Sequence, residues 1–256
     1  MAIVALIPAR FASTRLPGKP LCDILGKSMI QHVYERARRA RLVERVLVAT
    51  DDERIARVVR GFGGECVMTS PEHATGTDRL AEAVGATDAS VVVNVQGDEP
   101  LLEPERIDAA IAPLLQDAGV AMSTLSLPLC DVDDMLAPSV VKVVSDAKGN
   151  ALYFSRSPIP YVRLGAAADL RAAAQAAVER GLARRHVGLY VYRRAVLQRL
   201  AALPPAPLEQ AEGLEQLRAL HHGIAIRVVA ALGRESQAVD TPEDLERVRQ
   251  LMAAHD

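Results

Sequence analysis

The sequence predicts an α/β protein built on a mixed, mostly parallel sheet. Two observations carry this expectation. Short apolar runs alternate with segments whose apolar residues recur at helical spacing, from Ala2 to Leu114. Three of the runs, Ala2–Ile7, Arg45–Thr50 and Ser90–Val95, have the length and composition of buried strands.

The elements follow in order. After the first strand, Met29, Ile30, Val33, Tyr34 and Ala37 mark one face of a helix. The Arg45–Thr50 strand leads into a helix from about Asp52 to Gly61. Gly63-Gly64 breaks that helix before a short strand at Glu65–Met68. A helix near Gly76–Val84 precedes the Ser90–Val95 strand. Another starts at Pro104, with Ile107, Ile111 and Leu114 in phase.

The pattern changes after residue 120. Val140–Ser145 and Ala151–Ser155 flank Asp146-Ala147-Lys148-Gly149-Asn150, an antiparallel hairpin signal. Ser157–Tyr161 holds two prolines in extended backbone, and the alanine-rich Ala166–Ala177 reads as a surface helix. Val187–Tyr192 alternates as a strand does. A helix across Leu208–Leu220 and a strand at Ile224–Val229 follow. Thr241 caps a final helix, with Pro242 at its first position and Leu245, Val248, Leu251 and Met252 on its apolar face. The expectation is one domain over residues 1–256, with an excursion at about 130–190.

Composition excludes several functions. Half of the 256 residues are apolar, enough for a sizeable core. A net charge of −2 supplies no global field for nucleic acid or a membrane surface. Aromatic residues make up 3% and Trp is absent, which argues against stacking platforms for single strands. Cys22, Cys66 and Cys130 are scattered and odd in number, as in a reducing cytoplasm. The start of the chain lacks the signal-peptide pattern, and no apolar run reaches the length of a membrane span.

The loop after the first strand is the richest segment. Ile7-Pro8-Ala9-Arg10-Phe11-Ala12-Ser13-Thr14-Arg15-Leu16-Pro17-Gly18-Lys19-Pro20 holds two Arg, one Lys, one Gly and three Pro. Cations and backbone amides on a rigid loop suit a polyanion. The spacing is neither that of a P-loop nor that of a dinucleotide fingerprint. A solvated basic loop is the plain alternative.

The Val92–Val95 strand ends in Gln96-Gly97-Asp98-Glu99-Pro100, at the carboxyl edge where α/β sheets bind ligands. Its carboxylates suit Mg2+, while Gly-Asp is equally ordinary turn chemistry. Asp240 alone reads as a turn or cap. Thr75-Gly76-Thr77-Asp78-Arg79 opens a helix whose amides could meet a nucleotide; equally, it is a capped helix with a surface Arg. Arg156 sits in rigid extended backbone, and His186 alone fits a structural or exposed role. Glu215 and Gln216 match the solvated face of a leucine-rich helix. His221-His222 lacks metal-ligand spacing, and acyl-serine, zincin and thiol-redox motifs are absent.

Together these segments resemble one family. Ile7-Pro8-Ala9-Arg10 with Arg15-Leu16-Pro17-Gly18-Lys19-Pro20 is similar to the signature loop of sugar-activating nucleotidyltransferases. Val95–Pro100, Ser155–Pro160, His186–Tyr190, Leu214–Arg218 and Val239–Leu245 resemble segments of the 3-deoxy-manno-octulosonate cytidylyltransferase (CMP-Kdo synthetase) family, in the family's order. The alanine-rich stretch near 164–182 matches none of its motifs.

The resemblance implies a GT-A-like, Rossmann-related nucleotidyltransferase fold whose β-hairpin and helix excursion forms a homodimer. It implies that CTP and Kdo give CMP-Kdo and diphosphate, for lipopolysaccharide synthesis in the cytoplasm. In the implied reaction the sugar anomeric hydroxyl attacks the CTP α-phosphorus in line, with Mg2+ as cofactor. By that match Arg10, Lys19, Asp98 and Asp240 are catalytic, and Asp98 and Asp240 hold the metal. Pro8, Ala9, Arg10, Ser13, Arg15, Lys19, Gly76, Arg79, Gln96 and Asp98 bind nucleotide. Gln96, Arg156, His186, Tyr190, Glu215 and Gln216 bind the sugar. The rival implications are another acid sugar, such as sialic acid or 8-amino-Kdo, and a non-catalytic nucleotide-binding relative.

Overall fold

A computed structural model describes residues 2–12, 15–73, 75–165, 169–231 and 237–254. Along the chain run β1 (Ile3–Ala9), a small ribbon of β2 (Asp23–Ile24) and β3 (Lys27–Ser28), α1 (Met29–Arg38), β4 (Arg45–Thr50), α2 (Glu53–Gly61), β5 (Glu65–Met68), α3 (Gly76–Ala83) and β6 (Val91–Asn94). Next come α4 (Pro104–Gln116), β7 (Met122–Pro128), α5 (Val132–Leu136), β8 (Lys142–Ser145), β9 (Ala151–Ser155), α6 (Leu170–Glu179) and β10 (Arg184–Arg193). The chain continues through α7 (Arg194–Ala202), α8 (Pro207–Glu212), α9 (Gln216–His221), β11 (Ile226–Ala230) and α10 (Pro242–Ala253). These elements form two compact units.

The first unit comprises Met1–Ile111, Leu189–Ala201 and Glu235–Asp256. Its sheet pairs β5 with β4, β4 with β1 and β1 with β6, all parallel. The end of β10 lies antiparallel on β6, with Tyr190 opposite Asn94. β1, β4 and β6 are buried almost throughout, which accounts for their apolar runs; polar residues fall only at the ends of β4 and β6. α1 buries the five residues that set its helical period: Met29, Ile30, Val33, Tyr34 and Ala37. The Asp52 carboxylate accepts from the Arg54 amide and so starts α2. Thr241 and Asp244 form a capping box on α10, with Pro242 in its first turn. Leu245 and Val248 then pack with Ile24, Met29 and Val239.

The second unit comprises Ala112–Gly188 and Ala202–Arg234. β7 and β11 pair in parallel, and β8 and β9 form the hairpin anticipated around Gly149. Its core joins Leu129, Met135, Val140 and Val162 to Ala174, Ala176, Ala177 and Ala183. The alanine-rich helix therefore buries one face and is not only a surface feature. It starts at Leu170, capped by Asp169, and the expected residues 166–168 lie outside the described ones.

The β2–β3 ribbon, α5 and α7 were not part of the sequence reading, and two further differences have a clear physical reason. β7 was not anticipated, because Ser123, Thr124 and Ser126 are polar yet buried and interrupt its apolar signature. The single helix anticipated over Leu208–Leu220 is two short ones. Gly213, with φ of 62°, takes the left-handed conformation that ends α8.

Candidate active site

The first unit places β1 beside β6, so the loops leaving their carboxyl ends emerge together. The contact between those loops is close. A Cβ on Gly97 would stand 2.9 Å from the Pro8 carbonyl oxygen, so only glycine fits there without displacement. The Val239 amide donates to the Asp98 carbonyl at 2.9 Å. This bond brings the start of α10, and with it Asp240, alongside Asp98.

These loops bound a cleft of about 370 Å3 lined by Pro8, Ala9, Arg10, Arg15, Lys19, Gln96, Gly97, Asp98 and Asp240, with Ala12 and Pro20. Lys19 is its electrostatic centre. Its Nζ donates to Asp98 Oδ2 at 2.7 Å and to Asp240 Oδ1 at 3.1 Å. Arg15 Nη2 lies 3.1 Å from the same Asp240 oxygen. Burial pushes the Lys19 pKa down, but the charges and hydrogen bonds of Asp98 and Asp240 outweigh it, and the net shift is upward. Lys19 is therefore an ammonium throughout the neutral range.

The backbone of Asp240 is set by α10, because Asp244 Oδ2 accepts from the amides of Asp240 and Thr241 at 3.1 Å each. Burial raises the Asp244 pKa and these bonds lower it, for a net downward shift. The Asp240 carboxylate is thus left to the two cations.

Of the other anticipated nucleotide residues, Gly76 opens α3, and a Cβ there would meet Pro8 Cγ at 3.8 Å. Arg79 is fully buried and not a surface residue; its Nη1 donates to Thr69 Oγ1 at 2.5 Å and lies 3.3 Å from Asp51 Oδ1. It ties the start of α3 to the chain after β4 and β5. Ser13 lies outside the described residues.

Arg156, His186, Glu215 and Gln216 belong to the second unit. Arg156 is held from several sides. Its Nε donates to the Glu212 carbonyl at 2.6 Å, its Nη1 to the Pro138 carbonyl at 3.0 Å and its amide to Glu212 Oε2 at 2.9 Å. His186 Nε2 is 3.0 Å from Thr124 Oγ1, and its ring meets Phe154 edge-on at 4.9 Å. Desolvation lowers its pKa to about 3, so the imidazole is neutral and offers hydrogen bonds without charge. Glu215 is exposed, whereas Gln216 is buried.

Sequence reasoning missed the residues that brace this segment. Glu212 accepts from Ser155 Oγ at 2.6 Å as well as from the Arg156 amide. The fully buried Lys142 donates to the carbonyls of Ala137, Val140 and Arg156 at 3.0, 2.6 and 2.5 Å. Arg218 is buried in a two-pronged pair with Glu209, at 2.9 and 2.5 Å. A lysine between valines in a strand was the one available signal.

Two carboxylates share one ammonium beside two arginines at the carboxyl edge of a parallel sheet, a charge arrangement suited to a polyanion. A family model described as cytidylyltransferase matches residues 4–226. A 3-deoxy-manno-octulosonate cytidylyltransferase from Geobacter sulfurreducens is 59% identical over 97% of this chain and 98% of its own length. One of the same name from Syntrophotalea carbinolica is 57% identical over 97% of each. A solved CMP:2-keto-3-deoxy-manno-octonic acid synthetase, complexed with CTP, superposes with a TM-score of 0.89 at 45% identity and covers 100% of both chains. The 4-diphosphocytidyl-2C-methyl-D-erythritol synthase of Anaerococcus prevotii shares the fold, at a TM-score of 0.63 and 13% identity over 98% of each chain. The chain belongs to the 3-deoxy-manno-octulosonate cytidylyltransferase family.

Proposed function

We propose that this enzyme transfers the cytidylyl group of CTP to the anomeric hydroxyl of 3-deoxy-manno-octulosonate. The sugar oxygen attacks the α-phosphorus in line and the bond to the β-phosphate oxygen breaks. Diphosphate leaves and the hydroxyl proton passes to solvent. The observation that carries this reading is Lys19 held by Asp98 and Asp240 in the cleft beside Arg10 and Arg15.

Arg10, Arg15 and Lys19 hold the triphosphate, and the Lys19 ammonium stabilises charge that develops as the diphosphate departs. Pro8, Ala9 and Gly76 bring backbone close to the nucleotide, and Ser13 is assigned to it by the family match. Arg79 acts by keeping the start of α3 in place. Gln96, in the lining of the cleft, serves cytidine or sugar. We assign the sugar carboxylate to Arg156 and its hydroxyls to His186, Tyr190, Glu215 and Gln216. A neutral His186 suits hydroxyls.

A divalent metal, Mg2+, belongs with this reading. Asp98 and Asp240 fit it: two hard carboxylate oxygens within hydrogen-bond reach of one shared cation are the donors Mg2+ takes beside substrate phosphate. When bound there, it would neutralise phosphate charge and acidify a coordinated hydroxyl.

We further propose a cytoplasmic homodimer. Among the described residues no helix is long and apolar enough to cross a membrane. Exposed Leu152, Tyr161 and Leu164 on the excursion support a self-association surface.

The test is diphosphate release from CTP and Mg2+ with Kdo present, absent or replaced by N-acetylneuraminate. Release that requires Kdo supports the reaction and the sugar. Release only with N-acetylneuraminate moves the substrate, and none with any sugar from folded protein overturns the reading.

A further inference from the structure

We infer that Phe11 and Arg54 are positioning residues: with Gly18 they clamp the neck of the phosphate loop and so fix Arg10 relative to Lys19. Three contacts build the neck. The Gly18 amide donates to the Phe11 carbonyl at 3.1 Å, closing the base of the loop. The Phe11 ring packs on Gly18 itself; a Cβ there would stand 3.2 Å from ring atoms Cε2 and Cζ, and φ of +68° already favours glycine. The Arg54 guanidinium carbon lies 3.3 Å above the Phe11 ring centroid, a close cation–π stack.

Arg54 is not a loose surface cation. Asp52 holds its Nε at 2.9 Å and its Nη2 at 2.6 Å, and the same carboxylate caps α2 through the Arg54 amide at 2.9 Å. The stacking plane is therefore anchored to the start of a helix that packs on the sheet. A two-pronged carboxylate grip fixes the orientation of a guanidinium in a way one ammonium contact does not.

The position of the neck gives it its consequence. Arg10 directly precedes Phe11, and Lys19 directly follows Gly18. Clamping these two neighbours sets the spacing of the two cations, and the intervening loop carries Arg15 to Asp240. Neither Phe11 nor Arg54 lines the cleft among the described residues, so both act through the loop and not by touching the nucleotide. A loop ordered before binding does not have to be ordered at the expense of affinity.

The substrate arm of the test rests on the cytidylyltransferase reading; the hydrogen-exchange arm does not. Arg54→Ala is the primary variant, because its side chain is largely exposed and its loss leaves the core intact. We expect the KM for CTP to rise about two- to five-fold, as loss of one exposed cation–π contact implies, with the sugar KM unchanged. Exchange at the Gly18 amide should quicken by a similar factor, with β1 and β4 amides unaffected. Phe11→Ala should raise the CTP KM by more, and Phe11→Tyr should restore it. Arg54→Lys should recover part, keeping a cation but losing the two-pronged grip. An unchanged CTP KM with unchanged Gly18 exchange in Arg54→Ala overturns the inference, as does an equal rise in both KM values that tracks a lower Tm. Wild-type protein that turned over no CTP would overturn the functional reading alone, and Gly18 exchange would still decide the neck.

Discussion

Gly97→Ala adds one methyl group at the point where two site-bearing loops touch. The new carbon would stand 2.9 Å from the Pro8 carbonyl oxygen and 3.5 Å from Ile7 Cγ2. The first contact is with backbone, so no side-chain rotation relieves it. The ends of β1 and β6 must separate by roughly half an ångström to reach ordinary contact distance, at an overpacking cost of about 1–3 kcal/mol. For a chain of this size that lowers Tm by roughly 2–12 °C. The larger effect falls on function. The displaced segments carry Arg10 on one side and Asp98 on the other, and misplacing catalytic groups by ~1 Å can cost about 10²-fold in rate. We expect kcat/KM for diphosphate release to fall on the order of tenfold or more, beyond what the fraction unfolded at the assay temperature explains. Gly61→Ala, at the end of α2 where a Cβ meets nothing within 4 Å, is the matched control; it should leave the kinetics unchanged and Tm equal or slightly higher. Kinetics within twofold of wild type, at an unshifted Tm, would refute the claim that this close approach sets the site.

Asp98→Asn and Asp240→Asn should each lower kcat by about 10² or more, because each removes a charged partner of Lys19 and a proposed metal donor. Weaker Mn2+ binding, followed by electron paramagnetic resonance in the presence of CTP, checks the same change without turnover. Lys19→Arg should recover little of the activity that Lys19→Ala loses, since a planar fork replaces the single ammonium shared by two carboxylates. The His186 imidazole should show no NMR titration between pH 8 and 5, as its pKa is lowered to about 3. The unfolded chain binds that proton near pH 6.5 and the folded one does not, so stability from this group is complete above about 6.5 and is lost as pH falls toward 3. His186→Gln should flatten that part of a Tm-against-pH profile.

The alternation of apolar runs and helical periods was enough to place β1, β4, β6 and the helices between them, since the centres of these strands are apolar. β7 escaped because it is buried on both faces and carries Ser123, Thr124 and Ser126 there, with polarity met inside the fold; Thr124 donates to the Val187 carbonyl at 3.1 Å. One-dimensional pattern cannot distinguish a hydroxyl that is satisfied internally from one that faces water. The same limit applies to Arg79, Arg218 and Lys142, each buried with its polar atoms turned to partners inside the fold. In the cleft the chemistry of the residues was legible one by one, and only the family resemblance implied that Asp98 and Asp240 meet. By residue chemistry alone Asp98 suits a metal or a turn and Asp240 a turn or cap; the Val239–Asp98 backbone bond sets the two side by side.

Lys19 and His186 are held in opposite protonation states, and these divide the work. Lys19 is partly buried, which alone would favour the neutral amine, yet its two carboxylates reverse the direction. A lysine held in this way is a poor proton acceptor and a dependable point of positive charge. His186 goes the other way: desolvation keeps it neutral, and Thr124 occupies its Nε2. Neither group is poised near neutrality, where general acid–base catalysis is most effective. What the chain supplies is charge fixed in place, which is what a displacement at phosphorus between two anionic substrates requires. The anchoring of that charge follows from the same logic. Lys19 is fixed by the clamped neck behind it and by carboxylates from two separate loops ahead of it, so its position is set by the fold before any substrate arrives.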